Sequence, residues 1–302
     1  MINFTNVTKI FKSDILSQPL TALDDVSFSI PEGSMVGFLG ANGAGKTTSL
    51  KIIMDFIRPT KGQVSFSPEL GRNKLEILKN IGFLPERPYF YPTLSGRDFL
   101  MFMGQLSGLT TAQIKTEIYK WASIFKIDFA LSREIKTYSK GMLQRIGFLA
   151  TIMHQPKIII LDEPLSGLDP IGRKELKDVI VQVHKEGKTV FFSSHIVPDV
   201  EEICDRVIFL KDGKLAYDGS VMSLMQSGKK QDYFISAHVV EGFMPVTSFK
   251  GVTKLPNNLE KYLVDSTEKD ALLSELISNK FNVVGVEMQK PSLEEIFYNT
   301  RG

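Results

Sequence analysis

Eight consecutive residues, Gly40-Ala41-Asn42-Gly43-Ala44-Gly45-Lys46-Thr47, fit the spacing G-x-x-x-x-G-K-[ST]. Glycines at these places let the backbone curl so that successive N–H groups point inward at phosphate oxygens. A helix opening at Lys46 would add the positive end of its dipole to the same site. Lys46 is then within reach of β- and γ-phosphates, and Thr47, followed by Thr48, offers a hydroxyl ligand to Mg²⁺. Farther on, Ile158-Ile159-Ile160-Leu161 runs into Asp162-Glu163, an apolar strand that ends in two carboxylates. In an open parallel sheet, ligands sit at such strand ends. Asp162 is placed to hold Mg²⁺ through water, and Glu163 to orient or deprotonate an attacking water.

Two further segments carry less specific signals. Ser139 and Gly141 begin a helical pattern running through Phe148 to Met153. Read alone, Ser139 is a helix N-cap or part of a second anion site. Ser193-Ser194-His195 follows another apolar strand. His195 is a structural or exposed imidazole, or a hydrogen-bond donor to a γ-phosphate, and its protonation state stays open because imidazole titrates near neutrality.

These residues need a sheet whose strand ends converge. Phe4 to Phe11, Leu23 to Ile30 and Met35 to Leu39 read as strands, and Lys46 to Phe56 as a helix. Residues 93–155 read as mostly helical, with capping-box spacing at Ser95/Asp98 and Thr110/Gln113. Strand and helix then alternate through Lys157 to Leu161, Ile171 to Lys185, Thr189 to Ser193 and Val197 to Ile203. Arg206 to Leu210 and Lys214 to Tyr217 flank Asp212-Gly213, a hairpin signal. The alternation predicts a parallel α/β sheet. A composition break at Gln226 to Gln231 precedes strand-like Tyr233 to Val240, Lys261 to Val264 and Phe281 to Met288. Helical patterns cover Glu268 to Ser278 and Leu293 to Asn299, so a small α+β appendage is expected. The predicted division is 1–225 for the nucleotide-binding part, with a helical subdomain at about 88–155, and 226–302 for the appendage.

Composition narrows the function. The 302 residues are 43% hydrophobic and carry a net charge of +2, which gives no electrostatic case for nucleic acid. The single cysteine, Cys204, excludes an intrachain disulfide and reads as a core residue. No apolar run approaches the 18 or so residues of a membrane-spanning helix. The chain is expected in the cytosol unless a partner holds it at a membrane.

Taken together, the motifs resemble the ATPase subunits of ABC transporters. The order matches over about residues 1–225: the phosphate loop at Gly40 to Thr48, Gly82-Phe83-Leu84-Pro85-Glu86, the signature at Ser139 to Gln144, Asp162-Glu163, Ser166-Gly167-Leu168-Asp169, and His195. The resemblance implies the P-loop ABC-ATPase fold, a mixed sheet with N-terminal antiparallel strands and a helical subdomain. It implies ATP and Mg²⁺ as cofactors, with Thr47, Asp162 and Glu86 on the metal side. It also implies Phe11 stacking on adenine, Lys46 on the phosphates, Glu163 as catalytic base and His195 on the γ-phosphate. Ser139 and Gly141 of one subunit would close over nucleotide held by another, with Asp169 touching across a head-to-tail homodimer or heterodimer. Separately encoded membrane permease subunits would be the partners, met on the cytoplasmic face.

The sequence departs from the family pattern in three places. Glu86 stands where Gln is usual. The signature reads Tyr138-Ser139-Lys140-Gly141-Met142, in which Lys140 adds attraction for phosphate or faces solvent. Asp14 to Leu20 look like an insertion. The first two features, with Pro291 to Phe297, resemble a branch of stand-alone ATPases that work with export-type membrane subunits. Competing expectations are a soluble ABC-type ATPase in translation or DNA repair, and a nucleotide-sensing regulator.

Overall fold

The computed structural model describes residues 1–12, 19–223, 232–240 and 242–288. Two compact units divide between Val221 and Met222. The first begins with β1 (Ile2–Phe11), β2 (Leu20–Ile30) and β3 (Met35–Leu39), followed by α1 (Lys46–Ile53), β4 (Lys61–Phe66), α2 (Lys74–Lys79) and β5 (Ile81–Leu84). Three helices come next: α3 (Gly96–Leu106), α4 (Thr111–Ile124) and α5 (Lys140–Ile152). Then strand and helix alternate through β6 (Ile158–Leu161), α6 (Pro170–Lys185), β7 (Thr189–Ser194), α7 (Val197–Ile203), β8 (Arg206–Lys211) and β9 (Lys214–Ser220).

The central sheet has the order β5-β6-β7-β3-β8-β9. Its first five strands are parallel, and β9 returns antiparallel beside β8. The sheet is therefore mixed. The parallel strands β3, β6 and β7 are buried at every position, as strands covered on both faces must be. At the β8–β9 turn Asp212 and Gly213 both have positive φ, which a two-residue hairpin of native twist requires. A separate antiparallel sheet, β2-β1-β4, packs with the central strands through Phe28, whose ring lies 5.5 Å from Phe38 and 6.2 Å from Phe191. This shared core ties the N-terminal strands to the strand that feeds the phosphate loop.

Capping explains the helix starts. Thr110 and Gln113 form a full reciprocal box at α4, and the Ser95 side chain accepts from the Asp98 N–H at α3. Helix α1 stops at Ile53, short of the Phe56 expected from periodicity, because Asp55 adopts a left-handed φ of 55°. Strand β4 and helix α2 were not legible in sequence. Neither has a fully buried residue, so hydrophobic periodicity gives no signal there.

The second unit contains β10 (Asp232–His238), β11 (Gly251–Leu255), β12 (Leu259–Asp265), α8 (Lys269–Ser278) and β13 (Asn282–Met288). Its sheet, β11-β12-β10-β13, is antiparallel throughout. Ile235, Ala237, Tyr262 and Val264 bury one sheet face together with Leu272 and Leu276 of α8. Strand β11 is mostly exposed and was missed in sequence for the same reason as β4. The composition break at Gln226 to Gln231, most of the apparent insertion, Pro291 to Phe297 and the last helical pattern lie outside the described residues. No helix among the described residues is long and apolar enough to cross a membrane. Cys204 is buried and unpaired, and burial pushes its thiol well above the usual range.

Candidate functional site

Strand β3 delivers the chain to the phosphate loop. Its Leu39 pairs in register with Ser194 of β7 and Phe209 of β8, so the loop emerges at the carboxyl end of the sheet's centre. Gly43 and Gly45 take φ values of 85° and 104°, a region that side chains disfavour. A Cβ on Gly45 would also come within 2.6 Å of Leu23 Cδ2 and 2.7 Å of the Ala22 carbonyl. Gly45 caps α1 without any side-chain hydrogen bond. The first N–H groups of a helix have no partner inside it, so those of α1 stay available to a ligand.

The Lys46 side chain is buried and folds back over the loop. Its amine donates to Gly40 O at 2.6 Å and Ala41 O at 3.3 Å, and lies 3.3 Å from Glu163 Oε1. Glu163 reaches this place because its own backbone turns left-handed, with φ 50°. That turn breaks the strand alternation and aims the carboxylate at the cleft. Glu163 Oε2 lies 2.8 Å from His195 Nδ1. An ionised carboxylate only accepts, so His195 donates from Nδ1. Glu163 Oε1 is buried and accepts no hydrogen bond in this arrangement.

Asp162 lies beneath, 2% exposed. Burial pushes its carboxyl above the usual range, and the charges of Glu163 and Glu86 push the same way. Hydrogen bonds from Ser193 and Thr47 offset part of this. Ser193 donates to Asp162 Oδ1 at 2.6 Å and accepts from the Glu163 N–H at 2.8 Å. Sequence reasoning gave Ser193 no role. The available signal was a hydroxyl two residues before His195 inside an otherwise apolar strand, where it needs a polar partner.

Lys46, Glu163 and His195 border one cleft of about 410 Å³, whereas Asp162 and Ser193 are buried and not part of its lining. Its walls include Phe11, Ala41 to Gly43, Gly45 to Thr48, Glu86, Glu163 and His195, all singled out from sequence. Leu20, Thr21, Ala22 and Ser166 also line it, without having been singled out as site residues. Phe11 is 38% exposed, with the Lys9 amine 5.0 Å from its ring centroid. Gly40 and Ala44 support the loop from below rather than facing the cleft. A Cβ on Gly40 would meet Leu210 O at 2.8 Å, and Ala44 is 5% exposed.

Three further expected residues, Ser139, Gly141 and Asp169, do not line this cleft either and serve as or beside helix caps. Ser139 caps α5, its hydroxyl accepting from the Met142 N–H at 3.3 Å, and Gly141 lies in the first turn. Asp169 caps α6, accepting from the Gly172 N–H at 3.0 Å. Lys140 does not line the cleft and is exposed, which agrees with its facing solvent. Its side chain lies over Gly167, where an added Cβ would come within 2.0 Å of Nζ.

Comparison with known proteins agrees with this geometry. Residues 23–166 match the family model described as ABC transporter, and residues 219–300 match that of the ATP-binding protein DrrA1-3-like, C-terminal domain. The chain is 34% identical over 279 residues to YxlF, an ABC transporter ATP-binding protein of Bacillus subtilis (strain 168), covering 91% of this chain and 93% of that one. It is 29% identical to BcrA of Bacillus licheniformis, a bacitracin transport ATP-binding protein, over 100% of this chain and 97% of the relative. Among solved structures, the dimeric structure of the bacterial ABC transporter cassette MJ0796 superposes with a TM-score of 0.65 at 24% identity, over 73% of this chain and 99% of that chain. A phosphate loop, an acidic strand end and a histidine around one cleft, together with these full-length relatives, show that the chain belongs to the ATP-binding proteins of ABC transporters, a family of ATPases.

Proposed function

We propose that this chain hydrolyses ATP in the described cleft and thereby drives export through separate membrane subunits on the cytoplasmic face. The observation that carries the reading is the convergence of Lys46, Glu163 and His195 on the phosphate-loop cleft.

The phosphates lie along the backbone N–H groups from Ala41 to Thr48, and the adenine stacks on Phe11. Lys46 exchanges its Gly40 and Ala41 carbonyl partners for β- and γ-phosphate oxygens. Oxygen donors in and beside the cleft suit a hard divalent cation: the Thr47 hydroxyl and the Glu86 carboxylate, which line it, and the buried Asp162 carboxylate, which accepts from Thr47. Mg²⁺ bound there would neutralise charge on the phosphate oxygens. Glu163 Oε1, which accepts no other hydrogen bond, takes a proton from the attacking water. His195 holds the Glu163 carboxylate and borders the space for the γ-phosphate. The products are ADP and inorganic phosphate.

A second subunit completes the site. Ser139, Gly141 and Asp169 do not line their own chain's cleft, which supports their acting on nucleotide held by a partner copy or a related ATPase in a head-to-tail pair. The neighbouring solved cassette is itself dimeric. Contact with a membrane subunit is supported by exposed aromatic rings just past Glu86. Tyr89 is 79% exposed and stacks edge-on with Tyr91, which does the same with Phe102, both at 5.5 Å. Exposed apolar clusters of this kind mark interaction surfaces. Export is supported by the bacitracin transport relative; the cargo of this chain is a separate matter from its cassette chemistry.

The test is nucleotide binding and phosphate release by the purified chain. Lys46→Ala is expected to weaken ATP binding by about 10- to 100-fold, the scale of a lost hydrogen bond to a charged group. Equal binding by the variant and the native chain would remove the cleft from the mechanism.

A further inference from the structure

The catalytic cleft rests on a hydroxyl that no part of the reading above uses. Strands β6 and β7 are parallel neighbours with Leu161 opposite Phe192. One residue further along each, the register sets Ser193 beside Asp162. Ser193 is fully buried, and its hydroxyl both donates and accepts within the site. Its single proton goes to Asp162 Oδ1 at 2.6 Å, and a lone pair receives the Glu163 N–H at 2.8 Å. Its neighbour Ser194 points to the opposite side of the strand and bonds only with the backbone of Ile196.

Two different functional groups therefore hang on one atom. The proton orients the Asp162 carboxylate, which also accepts from the Thr47 hydroxyl. The lone pair holds the backbone of Glu163 in its left-handed turn, and that turn carries the carboxylate to His195 and Lys46. Loss of the hydroxyl leaves the Asp162 carboxylate held by Thr47 alone and a Glu163 N–H without its side-chain partner. A displacement of either carboxylate by a fraction of an ångström is costly at a site that works by positioning.

We propose that Ser193 is a positioning residue for both carboxylates, coupling the metal-side acid to the water-side acid through one hydroxyl. The proposal rests on the roles given above to Asp162 and Glu163.

The test uses the full chain. ATP binding is measured by calorimetry at increasing Mg²⁺ in a Glu163→Gln background, where hydrolysis does not interfere. Adding Ser193→Ala is expected to leave metal-free ATP affinity within about twofold and to raise the half-saturating Mg²⁺ by roughly 10–100-fold, the usual effect of losing a ligand's supporting hydrogen bond. With Glu163 intact, kcat is expected to fall by the same order while KM changes by less than about threefold. Ser194→Ala, at a neighbouring buried position, is expected to change neither quantity. Should Ser193→Ala not fold, Ser193→Cys, close in volume and a weak donor, is read in its place with the same expected pattern.

Half-saturating Mg²⁺ and kcat both within twofold of native would overturn the proposal. So would losses that merely track the fraction of folded protein in a thermal melt. Asp162→Asn, run in parallel, separates the two levels. If it loses Mg²⁺ dependence while Ser193→Ala does not, only the role of Ser193 falls. If Asp162→Asn is itself unaffected, the assignment of Asp162 falls, and the proposal with it.

Discussion

Glu163 Oε2 and His195 Nδ1 lie 2.8 Å apart although 32 residues separate them in sequence. The pairing exists because β6 and β7 are parallel neighbours with Leu161 opposite Phe192, which sets the residues just past β6 beside the end of β7, and because Glu163 turns left-handed there. The other oxygen, Glu163 Oε1, lies 3.3 Å from the Lys46 amine, so the one carboxylate joins the histidine to the lysine.

Glu163→Gln tests that arrangement. Glutamine keeps the shape and can still accept from His195, but it has no basic oxygen. Phosphate release is expected to fall by about 10²–10⁴-fold, the range for losing a general base, with ATP binding retained. A steady-state assay with the partner subunits present measures it. Native-like turnover in the variant would transfer the base role to another group.

Asp162→Asn is expected to stabilise the nucleotide-free, Mg²⁺-free protein near neutral pH. Burial raises the Asp162 carboxyl in the folded state. The native state then binds more protons than the unfolded state between the unfolded and folded pKa values. Stability from this group is present below the unfolded value and is lost as pH rises through the folded one. Amide in place of acid removes that loss. Thermal melts of both proteins from pH 4 to 8 should diverge as pH rises, and a constant difference would contradict the assigned cause.

Gly45→Ala is expected to abolish saturable nucleotide binding. The residue has φ 104°, and a new methyl would meet Leu23 Cδ2 and the Ala22 carbonyl inside ordinary contact distance. The β2 segment or the loop must move, and either motion spoils the cradle of N–H groups. ATP titration followed by intrinsic fluorescence or calorimetry reads the loss, and unchanged affinity would show that the loop tolerates the shift.

Ser139 separates a structural role from a functional one. Asp is as good an N-cap as Ser, so Ser139→Asp is expected to keep α5 and the melting temperature. Its charge would face the phosphates of the partner's nucleotide, and ATP-driven dimerisation is expected to disappear. Size-exclusion chromatography with light scattering, done in the Glu163→Gln background, gives the answer. A dimer of native strength would place Ser139 away from the partner's nucleotide.

The exposed aromatic cluster is tested by Tyr89→Asp with Tyr91→Asp. Tyr89 is largely solvent-facing and Tyr91 partly so, and neither belongs to the buried core, so folding and ATP binding are expected to remain native. Co-purification with the membrane subunit in detergent is expected to fail. Retained co-purification would move the contact elsewhere.

Local chemistry was legible in the sequence because each signal is short-range. Glycines at fixed spacing before Lys46 fix a loop, since the required φ values admit few other residues. Apolar runs such as Ile158 to Leu161 mark buried strands, and Ser95 and Thr110 mark helix starts through bonds made within three residues. What the sequence left open needed neighbours brought from far away. The mixed sheet order, the ion pair of Lys46 with Glu163, and the tie from Ser193 to both Asp162 and Glu163 join segments about 30 to more than 100 residues apart. Strand order and register decide those contacts, and both follow from packing over the whole sheet rather than from any local pattern. The exposed elements β4, α2 and β11 were invisible for the converse reason: with few buried side chains they show no hydrophobic period, and they form because hydrogen-bonded or packed neighbours hold them.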